Sequence, residues 1–161
     1  MGAAMKIIVF SDSHREIGHM RDVINRERPD YVFHLGDHDT DAELISREFQ
    51  LLPVAMVRGN CDGWSDTSKT LTLCIGGVTF FLCHGHTLGV KTSYMRAIFA
   101  AREQGADVLL FGHTHIPEQD ESNGLKLLNP GSCGYGYQPT YGYFIIEHGG
   151  ITDWGIRKCK A

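Results

Sequence analysis

Hydrophobic positions come first in short continuous runs and later in alternating ones. Lys6-Ile7-Ile8-Val9-Phe10 is an apolar, β-branched run of the kind a buried strand shows. It gives way to Ser11-Asp12-Ser13-His14, and the stretch from Glu16 to Arg28 then predicts a helix stopped by Pro29. Tyr31 to Leu35 predicts a second strand, Asp41 to Phe49 a short helix, and Pro53 to Val57 a third strand. A β-α-β-α-β order implies a parallel sheet with right-handed crossovers. In such a sheet the ligand site lies beyond the carboxyl ends of the strands.

After residue 70 the pattern changes. Thr70 to Ile75 and Val78 to Cys83 flank Gly76-Gly77, which predicts a two-residue hairpin. Pairing Ile75 with Val78 sets Leu73 opposite Phe80 and Leu71 opposite Leu82, with Thr70, Thr72 and Cys74 on the other face. Lys91 to Glu103 predicts a helix, with Tyr94, Ala97, Ile98 and Ala101 at helical spacing and Gly105 closing it. Asp107 to Phe111 predicts a buried strand. A hairpin turns at Asn123-Gly124, joining Ile116–Glu121 to Leu125–Leu128. A Gly/Tyr-rich loop from Gly131 to Thr140 leads to a last pair of strands, Tyr141 to Glu147 and Ile151 to Ile156. Parallel units followed by hairpins predict two sheets packed face to face, with helices outside.

The 161 residues are expected to form one domain over 1–161, with Met1 to Ala4 set aside as a leader segment and no internal repeat or linker. That length buries roughly 70% of the unfolded chain's surface. A hydrophobic content of 42%, a charged content of 21% and a net charge of -4 describe an ordinary globular protein. The pI near 6.1 and the lack of a Lys/Arg block argue against general nucleic-acid binding. No apolar run is long enough to span a bilayer, so no membrane partner is expected. The five cysteines, Cys61, Cys74, Cys83, Cys133 and Cys159, include no CxxC, which predicts free thiols in a reducing cytoplasm. Cys74 and Cys83 are read as small buried strand residues.

The chemistry sits where the apolar runs end. Asp12-Ser13-His14, Gly36-Asp37, Gly59-Asn60, His84-Gly85-His86 and Gly112-His113-Thr114-His115 each follow a predicted strand. Together they supply two Asp, one Asn and five His, a hard-to-borderline ligand set for divalent cations. Five such segments in succession point to a two-metal hydrolytic centre. Alternation along an extended segment would send His113 and His115 to the same side. Gly36, Gly59 and Gly112 would allow close backbone approach. Without thiolate, the set suits Mn or Fe best, with Zn, Ni or Co also compatible.

In this order and with these strand contexts, the motifs resemble the calcineurin-like metallophosphoesterases. Gly59-Asn60-Cys61-Asp62, Asn129-Pro130-Gly131-Ser132 and the chain length resemble the small bacterial and archaeal phosphodiesterase branch. The resemblance implies a four-layer α/β/β/α sandwich. It implies that Asp12, His14, Asp37 and His115 hold one ion, that Asp37, Asn60, His84 and His113 hold the other, and that Asp37 bridges. Asp37, Asn60 and His86 are the residues expected to act on the substrate. Two divalent ions set against Asp12, Asp37 and one hydroxide leave a single net positive charge, which complements a singly anionic diester. The expected reaction is hydrolysis of a small, nucleotide-derived or similar phosphodiester by in-line attack of a metal-bridging hydroxide.

Many relatives place His directly after Gly-Asn, where it is thought to protonate the leaving group; this chain has Cys61. His86 and His38 are then the candidate donors, with Asp62 orienting one of them. Relatives also often carry an Arg soon after Asn-Pro-Gly-Ser. Its role would fall to Arg15 or Arg58, and the Asn129–Ser132 segment itself reads as a structural turn. His34 reads as a satisfied core histidine, and His19 and His148 as surface residues. Tyr135, Tyr137, Tyr141 and Tyr143 either stack a nucleobase or, as the glycine alternation favours, pack the loop against the sheet. Asp37 to Asp41 could instead be a solvated loop capping the next helix. The alternative functions are a phosphomonoesterase, a dinucleotide polyphosphate hydrolase, and a protein-interaction scaffold of the kind a eukaryotic retromer subunit makes from this fold. An exposed sheet edge or the last hairpin offers a surface for a homo-oligomer.

Overall fold

The structure is a computed structural model that describes residues 4–62 and 67–160. β1 (Met5–Phe10), α1 (Ile17–Glu27), β2 (Tyr31–His34), α2 (Asp39–Glu48) and β3 (Val54–Met56) follow one another as the apolar runs predict. α1 ends because Arg28 turns into the left-handed region at φ 48° while its N–H still reaches the Ile24 carbonyl, and Pro29 cannot continue the helix. β4 (Thr70–Ile75), β5 (Val78–Cys83), α3 (Met95–Glu103), β6 (Val108–Leu110), β7 (Glu118–Ser122), β8 (Leu125–Asn129), β9 (Thr140–Glu147) and β10 (Gly150–Lys158) complete the chain.

The strands form two five-stranded sheets, ordered β10-β9-β1-β2-β3 and β4-β5-β6-β8-β7. β1, β2 and β3 run parallel, as do β5, β6 and β8, so each sheet presents several carboxyl ends at one edge. The first hairpin has the register expected from its Gly76-Gly77 turn, with Ile75 opposite Val78, Leu73 opposite Phe80 and Leu71 opposite Leu82.

Three apolar clusters separate four layers. Ile7, Val9 and Phe33 from one sheet meet Phe80, Leu82 and Leu110 from the other, with Phe80 edge-on to Phe33 and Phe144 at centroid distances of 5.4 and 5.3 Å. Met20, Val23 and Ile45 of α1 and α2 cover Ile8, Phe10 and Val32 on the outer face of the first sheet. Ala97 and Ala101 of α3 cover Phe81 and Leu109 on the outer face of the second. The result is the α/β/β/α sandwich.

Two local expectations are corrected. α3 begins at Met95 rather than Lys91, because the Thr92 and Ser93 amides turn back to the Gly89 carbonyl and Ser93 Oγ takes the Met95 N–H. Before it, His86–Leu88 forms a single 3-10 turn. Cys74 is exposed, since β4 is an edge strand whose outer face no helix covers, whereas Cys83 is buried. No helix among the described residues is long and apolar enough to cross a membrane.

Candidate metal centre

Asp12 and His14 follow β1, Asp37 follows β2, and Asn60 follows β3 in the first sheet; His84 follows β5, and His113 and His115 follow β6 in the second. The loops carrying them are tied together along the backbone. Asp12 N–H donates to the Gly36 carbonyl at 2.9 Å, and Gly112 N–H donates to the His84 carbonyl at 2.9 Å. Gly36, at φ +103°, lies so close to the Asn60 loop that a Cβ on it would sit 2.6 Å from the Gly59 nitrogen.

The backbone here is strained in a way the sequence does not reveal. Asp12, His14, Asp37, His113 and His115 all adopt positive φ, between 46° and 69°. Each such residue costs about 1 kcal/mol or more, and such residues cluster at functional sites. His113 and His115 therefore do not alternate along an extended segment as expected. Two left-handed turns, rather than strand pleating, bring both rings to the centre.

The donors converge. One atom each from Asp12, His14, Asp37 and His115 lie within 4.8 Å of one another. His14 Nε2 is 3.6 Å from Asp37 Oδ2, and His115 Nε2 is 3.1 Å from Asp12 Oδ1. On the other side, His84 Nε2 lies 3.0 Å from Asn60 Oδ1, 3.2 Å from His113 Nδ1 and 3.4 Å from Asp37 Oδ2. Asp37 Oδ2 thus stands between the two groups, while its Oδ1 accepts the Cys61 N–H at 2.9 Å. Asp12 is divided in the same way: Oδ2 takes the Ser11 hydroxyl and the His113 N–H, leaving Oδ1 to face the histidines.

This arrangement calls for a cation. His84 Nδ1–H donates to the Leu35 carbonyl at 2.8 Å, so a neutral His84 would aim an Nε2 lone pair at other acceptor atoms. Burial lowers the His84 pKa, but the hydrogen bond to Asp37 and the charges of Asp12 and Asp37 outweigh it and raise it above 6.5. Its hydrogen bond to Asp12 raises His115 likewise. For Asp37 burial acts upward, yet the His84 contacts and the Cys61 N–H hold it well below the usual carboxylate range. His14 and His113 are pushed down, foremost by burial, His113 to about 4. Without metal, both imidazoles therefore hold a proton to higher pH than a free imidazole does. His14 Nε2 is buried with no hydrogen-bond partner, an atom suited to a metal and idle without one. The residues present fit divalent ions.

A further set of polar residues holds the loops. His34 is buried and satisfied, as expected: Nδ1 accepts the Gly36 N–H, and Nε2 lies 2.9 Å from Ser13 Oγ. Ser13 Oγ donates to Asp41 Oδ2, which also accepts the Arg15 N–H. Asp62 accepts the His38, Asp39 and Gly59 amides, so it orients two loop backbones rather than an imidazole. Asn129 Nδ2 donates to the Gly112 carbonyl and Thr114 Oγ1, bracing the His113 loop, which makes Asn129–Ser132 the structural turn expected. Asp37, Asp39 and Asp41 are buried, so the solvated-loop alternative does not hold. The sequence reading missed the roles of Ser13, Asp41 and Asn129. Their only signal is a polar residue beside an apolar run, and their partners lie 15 to 28 positions away.

Other candidates sort by position. His86 comes within 5.4 Å of His84, ring to ring, with a buried and unpartnered Nδ1; burial first, then His84, lowers its pKa. The His38 ring meets the edge of His14 at 5.1 Å. Cys61 is exposed beside Asn60, and burial of its sulfur together with Asp37 pushes its thiol up to about 11. Arg15 is exposed next to His14. His148 is exposed as expected, but His19 is half-buried, its Nδ1 2.8 Å from the Cys133 carbonyl. The four tyrosines do not act together. Tyr141 is buried with its hydroxyl on Glu27, Tyr143 carries Arg157 over its ring, Tyr137 is exposed, and only Tyr135 reaches the centre.

Known proteins resemble this chain in sequence and fold. A probable metallophosphoesterase of Bacillus subtilis, YsnB, is 35% identical over 130 residues, covering 80% of this chain and 75% of its own. The phosphodiesterase MJ0936 of Methanocaldococcus jannaschii is 28% identical over 151 residues, covering 81% and 86%. The structure of vacuolar protein sorting 29 from Cryptosporidium parvum superposes with a TM-score of 0.76 over 98% of both chains at 17% identity, a likeness of fold. The sequence profile of the calcineurin-like phosphoesterase superfamily domain matches residues 5–149. The strand-end donors, the sandwich that presents them and this match agree: the chain belongs to the calcineurin-like phosphoesterase superfamily.

Proposed function

We propose that this protein is a two-metal phosphodiesterase acting on a small, singly anionic diester. One observation carries the reading: donors from both sheets converge on a single carboxylate oxygen, Asp37 Oδ2. Asp12, His14, Asp37 and His115 would hold one ion, and Asp37, Asn60, His84 and His113 the other, with Mn or Fe the best matches to mixed N/O donors. Such a pair, when bound, supplies Lewis-acid stabilisation of the phosphoryl oxygens and an activated water.

The chain's own residues do the rest. Asn60 contributes an oxygen without charge, which keeps the site positive toward a monoanion. His86, its pKa lowered foremost by burial, flanks the His84 side, where it would contact the phosphoryl group. Arg15, exposed and next to His14 in the chain, is a cation available to the substrate. His38, beside His14, and His86 are the imidazoles placed to give the leaving oxygen a proton, while Cys61, whose thiol is pushed up to about 11, is a poor donor. The name of the Methanocaldococcus relative supports diester chemistry.

The fold shared with vacuolar protein sorting 29 favours a second reading, a protein-binding scaffold. A scaffold does not need four donor atoms within 4.8 Å of one another or left-handed backbone at each of those residues, and Asp12, His14, Asp37 and His115 have both.

The test is hydrolysis of an activated aryl phosphodiester and the matching monoester by metal-stripped protein resupplied with Mn2+, with Asp37→Asn as control. Diester turnover that requires both metal and Asp37, in excess over monoester turnover, is expected. No turnover with Mn, Fe, Ni, Co or Zn, despite bound metal, would move the scaffold reading ahead.

A further inference from the structure

The candidate histidine ligands are not held alike. His84 is tied through Nδ1 to the Leu35 carbonyl, His115 Nε2 to Asp12, and His113 Nδ1 lies against His84. Among the described residues the His14 ring makes no hydrogen bond at all, and its Nε2 is buried without a partner. That nitrogen nevertheless points inward, 3.6 Å from Asp37 Oδ2 and 3.9 Å from Asp12 Oδ1.

What surrounds the ring is aromatic. Tyr135 lies flat on it, with centroids 4.3 Å apart and planes 19° from parallel. His38 and His115 meet it edge-on at 5.1 and 5.2 Å. The loop bearing Tyr135 is fastened to the loop bearing His14. Cys133 N–H donates to the Ser11 carbonyl at 3.1 Å, and Ser132 Oγ donates to the Asp12 carbonyl at 2.8 Å. The same Ser132 oxygen accepts the Tyr135 N–H at 2.7 Å. Gly134 lies so tightly against the Ser13 backbone that no Cβ fits there. Among the described residues the Tyr135 hydroxyl has no partner, and the residue is 55% exposed.

We infer that Tyr135 is a positioning residue for His14, an aromatic clamp that orients this imidazole where its neighbours use hydrogen bonds. The inference rests on the reading of His14 as a metal ligand. The ring face is what acts, so the hydroxyl is dispensable. Freeing the His14 ring weakens only the ion held by Asp12, His14, Asp37 and His115. The loss is about three- to tenfold in affinity, the range an aromatic stacking contact supports.

The experiment is titration of metal-stripped protein with Mn2+, resolving two binding steps, for the wild type, Tyr135→Ala, Tyr135→Leu, Tyr135→Phe and His14→Ala. His14→Ala abolishes one step. Tyr135→Ala and Tyr135→Leu weaken that same step three- to tenfold and leave the other alone, while Tyr135→Phe restores wild-type affinity. If both Tyr135→Ala and Tyr135→Leu match the wild type while His14→Ala loses a step, the clamp is wrong and the metal reading stands. If Mn2+ affinities are unchanged in Tyr135→Ala but KM rises for aromatic esters only, Tyr135 contacts substrate and the clamp is likewise overturned. If His14→Ala alters neither step, or the wild type takes up no Mn2+, the metal reading fails and the clamp fails with it.

Discussion

His34 Nε2 lies 2.9 Å from Ser13 Oγ, and through this contact the second strand fixes the loop that carries Asp12 and His14. Ser13 Oγ also donates to Asp41 Oδ2 at 2.7 Å, so one hydroxyl joins a buried histidine to a buried carboxylate. Ser13→Ala removes that link and leaves His34 Nε2 unpaired in the interior. Losing a buried partner costs about 1–3 kcal/mol. Urea unfolding of the metal-free protein should show that loss with an unchanged m-value, and a change below about 0.5 kcal/mol would mean the contact does not hold the loop.

Metal affinity should depend on pH with a defined sign. The His84 and His115 pKa values are raised above 6.5 in the metal-free fold, so both imidazoles hold protons to higher pH than a free imidazole does, and a metal must displace any proton they carry. Mn2+ affinity should therefore rise as pH increases above 6.5, with proton release on binding. The metal-free fold should respond in the opposite direction. The stability these two groups contribute is fully present below 6.5 and is lost as pH rises through their raised values. His14 and His113 are depressed and take no part in this window. Calorimetric Mn2+ titrations in buffers of different ionisation enthalpy, at about pH 6 and about pH 8, read the proton count. Binding without proton release would contradict the assignment of protons to His84 and His115.

Asn60→Asp tests why the donor set holds one amide among carboxylates. Asn60 is exposed and its Oδ1 sits 3.0 Å from His84 Nε2, so the replacement fits without rearrangement. The added charge should tighten metal binding and weaken the anionic substrate. Even partly screened, a unit charge at about 4 Å is worth a few kcal/mol, so KM for an aryl diester should rise about tenfold or more. Tighter metal binding with an unchanged KM would show that net charge does not select the diester.

Much of this was written in local pattern. Gly76-Gly77 leaves only two residues for the turn, and with apolar residues alternating on both sides it fixes the β4–β5 register. The donors were legible because each ends an apolar run, and parallel strands deliver their carboxyl ends to one place. The start of α3 was not legible, because Lys91, Thr92 and Ser93 are compatible with a helix, and only the Gly89 carbonyl capturing two amides decides against it. Nor were the left-handed turns at His113 and His115, since nothing in Gly-His-Thr-His distinguishes a pleated segment from a turned one. The clasp of Ser132 and Tyr135 on the His14 loop spans more than 100 positions of chain, beyond the reach of periodicity.

Cys61 stands where a stronger acid would speed the departure of a poor leaving group. Its thiol is pushed up to about 11, by burial of the sulfur first and by the Asp37 carboxylate next. In the metal-free protein, alkylation of Cys61 should accordingly keep accelerating with pH until near that value, because only the thiolate reacts. A thiol this reluctant gives up its proton poorly near neutral pH, whereas an imidazole at the same position has a pKa matched to the task. Cys61→His should raise kcat for diesters with alkoxide-like leaving groups by about a hundredfold and leave nitrophenolate-like leaving groups nearly unaffected. The plot of log kcat against leaving-group pKa should flatten in the variant. An unchanged slope would remove position 61 from proton transfer and leave His38 and His86 as the donors to test.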